Sequence, residues 1–161
     1  MAELIKVGMA DYKVGQNPFN LISYGLGSCI GIALYDPITK IGGLAHIMLP
    51  DSTQARSAEN PAKFADTALP LMLDELQKLG ASRAKITAKI AGGAQMFAFT
   101  NTTDIMRVGE RNAEAVRMVL KKLNIKLVAD DTGGNYGRTV ELILSSGIFR
   151  IKTIDKGEKE L

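Results

Sequence analysis

From residue 21 to residue 50 the chain reads LISYGLGSCIGIALYDPITKIGGLAHIMLP, in which Asp36 and Lys40 are the only residues of fixed charge. An apolar stretch of this length, rich in Ile, Leu and Tyr and broken by Gly and by Asp36-Pro37, divides into strands at its turn residues. Residues 21–24, 28–36 and 41–49 are predicted strands, the last two forming a hairpin about Asp36-Pro37. Residues 4–9 add another, so the first fifty residues are mostly sheet.

Beyond them the period changes. Asn60 followed by Pro61 is a helix-start signal, and a helix is predicted to run to Leu79 before Gly80 ends it. Ala65, Ala68, Leu69, Met72, Leu76 and Leu79 give it one apolar stripe, and Pro70 within it predicts a kink. Residues 85–91 alternate as a strand that runs into Gly92-Gly93. A second helix over 110–123 buries Val116, Leu120 and Leu123. Strands return at 126–129, 139–144 and 149–154, the last pair joined by Ser145-Ser146-Gly147. The fold class expected is α+β: a single-domain sandwich of mixed β-strands with two main amphipathic helices packed outside. No repeat or linker divides residues 1–161, so one domain is expected.

Charge and cysteine usage exclude several functions. The 20 basic and 17 acidic residues leave a net charge of +3 and are interspersed, which argues against nucleic acid as a partner. The N-terminus has no basic, long apolar leader, and no run is long enough to cross a bilayer, so no membrane insertion is expected. A lone cysteine forms no internal disulfide, and a cytoplasmic setting would keep it reduced. A monomer is expected, because no helix carries an obviously unpaired apolar face.

That cysteine, Cys29, follows Gly25-Leu26-Gly27-Ser28 at the head of an apolar strand. Glycines let the backbone turn sharply and leave amides open to an oxyanion, here those of Gly27, Ser28 and Cys29. A core role is the commoner one for a free cysteine. The only histidine, His46, changes the balance: a turn centred between residues 37 and 38 places residue 29 opposite residue 46. Imidazole beside a thiol can lower the thiol pKa and protonate a leaving group, although a structural histidine is an equal reading. Ser23, two residues before Gly25, can offer a hydroxyl to orient the ring. One Cys and one His do not close a zinc site, and no metal or other cofactor is expected. Two glycine-rich segments, 90–97 and 130–138, are candidate pocket walls, though each is more often a tight turn.

Six stretches in order, GLGSCIGIALYDP, GGLAHIMLPDS, KFADTALP, AKIAGGAQMF, VGERNAEAV and DDTGGNYGR, resemble the CheD family of chemoreceptor glutamine deamidases over nearly the whole chain. The resemblance implies a single deamidase domain with Cys29 as nucleophile, His46 as its partner and the third catalytic hydroxyl at Ser23, where family members commonly carry threonine. It implies a substrate on the cytoplasmic helical region of methyl-accepting chemotaxis receptors, a thioester intermediate, hydrolysis of glutamyl methyl esters by the same route, and docking to the CheC phosphatase. A non-catalytic regulatory binding module of the same pathway and a hydrolase of other carboxamides are the rival readings.

Overall fold

Along two central strands, successive side chains enter different layers. Ile30, Ile32 and Leu34 pack against the helices, whereas Ala33 and Tyr35 pack against a second sheet. The strands are numbered in chain order: β1 (Leu4–Lys6), β2 (Asp11–Gln16), β3 (Asn20–Leu26), β4 (Ile30–Asp36), β5 (Ile41–Ile47), β6 (Thr87–Gly92), β7 (Lys126–Thr132), β8 (Arg138–Ile143), β9 (Ile148–Thr153) and β10 (Gly157–Glu160). The helices are α1 (Ala65–Leu79) and α2 (Val108–Lys122). This is a computed structural model, and it describes residues 3–54, 60–95 and 107–161.

One sheet has the order β1-β3-β8-β9-β10 and the other β2-β5-β4-β6-β7. Each holds one parallel pair, β1 with β3 and β6 with β7, so both are mixed. The second sheet is the middle layer, which explains why β4 and β5 are buried at every position and carry so little charge. On its outer face, Met72 and Leu76 of α1 and Val116 and Leu120 of α2 cover Ile32, Ala45 and Ile90. On its inner face, Leu44 and Ala91 meet Leu21, Val140, Leu142 and Phe149 of the first sheet. Each fully buried Leu, Ile or Phe contributes about 1.5–3 kcal/mol, so the two interfaces together supply most of the driving force for folding. The expected α+β sandwich with helices outside is the fold observed.

Gly42 and Gly43 set how closely the three layers approach. A Cβ on Gly42 would meet Leu144 Cδ2 of the first sheet at 2.7 Å, and one on Gly43 would meet Met72 Sδ of α1 at 2.8 Å.

Several boundaries differ from expectation. β2 and β10 were not predicted: GEKE has no apolar residue, and DYKVGQ offers only Tyr12 and Val14; β2 is a half-exposed edge strand whose Tyr12 and Val14 pack against the helix-side core, and β10 an exposed one. Asn60 caps a short 3-10 turn, Pro61–Lys63, by accepting from Ala62 N, and α1 starts only at Ala65. Pro70 therefore lies in the second turn of α1, on its exposed side, and the helix continues through it. The hairpin has a four-residue turn: Asp36 pairs with Ile41, and Asp36 Oδ1 accepts from Ile38 N and Thr39 N. The turn centre thus falls between residues 38 and 39. His46 stands opposite Gly31 rather than Cys29.

Candidate active site

The first residue pair of the site joins the two sheets. Ser23 lies on β3 of the first sheet and His46 on β5 of the second, both facing the interface between them and both buried. Ser23 Oγ is 2.8 Å from His46 Nδ1 and 2.7 Å from the carbonyl oxygen of Val7. A hydroxyl carries one proton and a carbonyl only accepts, so Ser23 donates to Val7 and accepts from Nδ1–H. Nε2 is then the unprotonated nitrogen, and it is buried without a hydrogen-bond partner among the described residues. Desolvation holds the imidazole pKa below its ordinary value, which keeps this nitrogen a neutral base.

Cys29 immediately precedes β4, and its side chain belongs to the core between the sheets, the face that His46 also enters. His46 pairs with Gly31, and Cys29 precedes the last ladder pair, Ile30 with Ile47, so the two side chains enter the same face near the same end of the hairpin. The two-residue offset from the expected pairing leaves them on the same face at the same end of the strands.

The Gly27–Cys29 turn is held from behind by its carbonyls. Gly27 O accepts from Ala94 N at 2.9 Å, Cys29 O from Gly93 N at 2.9 Å, and Ser28 O from the Asn112 side chain at 2.9 Å. In a trans peptide the N–H points away from the preceding C=O, so the Ser28 and Cys29 amides face the opposite way. Gly92 makes this contact possible: at φ +114 its backbone is in glycine's region, and a Cβ there would lie 2.2 Å from Cys29 O.

The thiol pKa is raised, not depressed as expected beside an imidazole. Burial drives it up, and only the residue's own backbone amide works against that. The uncharged site therefore holds a neutral thiol and a neutral imidazole, and rapid alkylation of the thiol near neutral pH is not what this environment dictates.

The glycine-rich loops interlock behind Cys29. Gly133 N donates to Gly92 O, Gln95 N to Gly134 O, and the buried Arg138 reaches Gly92 O while pairing with Asp131. They brace the Cys29 turn. Residues 96 and 97 of the first of these segments lie outside the described residues. Around the other side of the turn, Gly25 forms one edge of an open groove of about 470 Å³ whose remaining wall is 135–139 and 152–155. Ile154, one of its lining residues, is exposed, as is Tyr24 next to Gly25 in sequence.

Gly92 lies within the 90–97 segment, a candidate pocket wall, but the sequence does not reveal its close packing on Cys29 O. Two contributors escaped sequence reasoning: Val7, through its backbone carbonyl, and Asn112. Only the last left a legible signal, as a polar residue one turn before Val116 on the apolar stripe of α2.

A family model described as CheD chemotactic sensory transduction matches residues 48–153, more than half of the chain. The chain belongs to the CheD family. That match begins beyond Ser23, Cys29 and His46, but similarity extends over them in full-length CheD relatives. A probable chemoreceptor glutamine deamidase CheD from Syntrophomonas wolfei is 54% identical over 159 residues, 99% of each chain. A protein of the same name from Clostridium botulinum strain Hall is 54% identical over 157 residues, 98% of this chain and 97% of that one. Among solved structures, the hypothetical protein YfiH of Bacillus licheniformis shares the fold of this CheD-family chain at TM-score 0.50 and 17% identity. The alignment covers 78% of this chain, which spans about half (51%) of the YfiH chain.

Proposed function

We propose that this CheD-family protein hydrolyses glutamine side chains of chemoreceptors to glutamate through a thioester on Cys29. Its relatives carry the name chemoreceptor glutamine deamidase along nearly the whole of its length, and the chain is accordingly an enzyme of the protein-glutamine glutaminase class. The observation that carries the cysteine mechanism is the relay from Val7 O through Ser23 Oγ to His46 Nδ1, which leaves Nε2 as a base on the face that holds the thiol.

In the first half-reaction Nε2 takes the thiol proton as sulfur attacks the carboxamide carbon. The oxyanion is received by the amides of the Gly27–Cys29 turn, with those of Ser28 and Cys29 turned away from the engaged carbonyls. Nδ1–H stays bonded to Ser23, so the imidazolium returns its proton through Nε2 to the nitrogen that leaves as ammonia. In the second half-reaction Nε2 removes a proton from water, hydroxide attacks the thioester carbonyl, and the departing thiolate recovers that proton. Burial raises the thiol pKa and lowers that of the imidazole, which favours a neutral pair before attack and proton transfer to Nε2 as the sulfur adds.

The same thioester forms from a glutamyl methyl ester, with methanol leaving in place of ammonia. The wider reading is a single deamidase domain over residues 1–161, monomeric and cytoplasmic, acting on the cytoplasmic helical region of the receptor and also docking to the CheC phosphatase. Among the described residues no helix is long and apolar enough to cross a membrane, which is consistent with a substrate reached from solution.

The test is Cys29→Ala assayed on receptor cytoplasmic fragments by mass spectrometry, which reads amide-to-acid conversion at each glutamine. Ammonia release and the mass change are both expected to vanish in a protein that retains its unfolding transition. Deamidation at the wild-type rate would refute the mechanism and favour a different nucleophile.

A further inference from the structure

The β4–β5 ladder ends at the pair Ile30 and Ile47. Past it the strands part, for Met48 N and Leu49 N donate to Lys63 O at 2.8 and 3.1 Å, while the other strand leads back into the Cys29 turn. Two carbonyls remain at the split, Ser28 O beside the nucleophile and Met48 O just beyond the histidine strand. Asn112 Nδ2 lies 2.9 Å from each. Carbonyls only accept, so this atom is the amide nitrogen and both of its protons are committed. The residue is fully buried on α2, and its Oδ1 has no partner among the described residues.

A buried unpaired acceptor is destabilising, so a side chain here for packing alone would be apolar. We propose that Asn112 is a positioning residue: where the backbone ladder has stopped, its amide holds the Cys29 turn in register with the strand that carries His46. This rests on the reading of Cys29 and His46 as nucleophile and base. Losing the bridge frees the turn to shift relative to the imidazole, and a displacement of about 1 Å between reacting groups costs on the order of 10²-fold in rate. Asn112 is not among the residues that line the open groove along Gly25, so a substrate seated there would keep its contacts.

The experiment compares Asn112→Leu with Val116→Ala, a core truncation one turn along the same helix, by steady-state deamidation of a receptor cytoplasmic fragment at a temperature where both are folded. Asn112→Leu is expected to lose on the order of 10²-fold in kcat with KM within about twofold, while Val116→Ala keeps kcat despite its lower melting temperature. Wild-type kcat in Asn112→Leu, or an equal kcat loss in Val116→Ala, overturns the proposal. If Asn112→Leu does not fold, Asn112→Asp serves, since a neutral buried carboxyl has one proton for two carbonyls; an intermediate kcat supports the proposal and an unchanged one overturns it. Cys29→Ala runs alongside. If it is inactive, a negative result belongs to Asn112 alone; if it is active, the cysteine reading itself has failed.

Discussion

Replacing Ser23 by alanine removes one oxygen and leaves two buried groups facing nothing. Val7 O loses its donor, and Nδ1–H of His46 loses its acceptor. The hydrogen bond at Nδ1 is neutral in the resting site but charge-assisted once His46 has taken the thiol proton, and such bonds contribute about 1.5–3 kcal/mol. At 1.36 kcal/mol per decade, Ser23→Ala should lose roughly 10- to 150-fold in kcat/KM. Stability should fall as well, by about 1–3 kcal/mol for each group left unpaired. Kinetics on receptor fragments therefore belong beside urea unfolding, at a temperature where the variant is folded. Ser23→Thr restores the hydroxyl with an added methyl, and should recover most of both losses. A Ser23→Ala enzyme within about twofold of wild type, under conditions where His46→Ala is inactive, would refute the claim that this hydroxyl sets the ring's protonation pattern.

Two further outcomes follow from the same geometry. Burial lowers the His46 pKa below 6.5, so as pH falls through that value the unfolded chain takes up a proton that the folded one refuses. Stability contributed by the neutral ring is present above this range and is lost towards the folded-state pKa; thermal melting from pH 7 to pH 5 should show a steeper decline in wild type than in His46→Gln, and parallel curves would contradict it. Gly92→Ala forces a Cβ against Cys29 O, whereas Gly133→Ala, also at positive φ, meets nothing within 4 Å. The first should lose activity at least tenfold more than the second in the deamidation assay, and equal effects would show that backbone strain alone matters.

The sequence made the fold class legible because its strongest signals are local. The uncharged run around Cys29 and His46 has to lie in a middle layer, and the α1 stripe from Ala65 to Leu76 needs only its period of 3.6. Edges were the hardest to read: β10 is exposed throughout and held by backbone pairing to β9, while β2 partly buries only two apolar side chains, Tyr12 and Val14, so GEKE carries no pattern and DYKVGQ only a two-residue one. The hairpin register was misplaced because the Asp36 carboxylate organises a longer turn than the Asp-Pro pair suggests, with Lys40 at φ +57 closing it. Cys29 and His46 stay on one face because a shift of two residues preserves the face of a strand. The thiol's protonation was not legible, since desolvation depends on what covers a group and sequence spacing says nothing about cover. Val7 contributes a carbonyl that every residue has.

The Ser23–His46 contact crosses from one sheet to the other, and that fixes when in the life of the chain the site comes into being. Cys29, His46 and Ser23 all lie within the first fifty residues. Yet β3, which carries Ser23, is sandwiched between β1 and β8, and β8 needs residues from the last quarter of the chain. A nascent or truncated chain holding all three side chains would still lack the docked sheet that sets the ring's tautomer. Under the proposed mechanism deamidation therefore requires both sheets to be in place, so that activity becomes a readout of completed assembly.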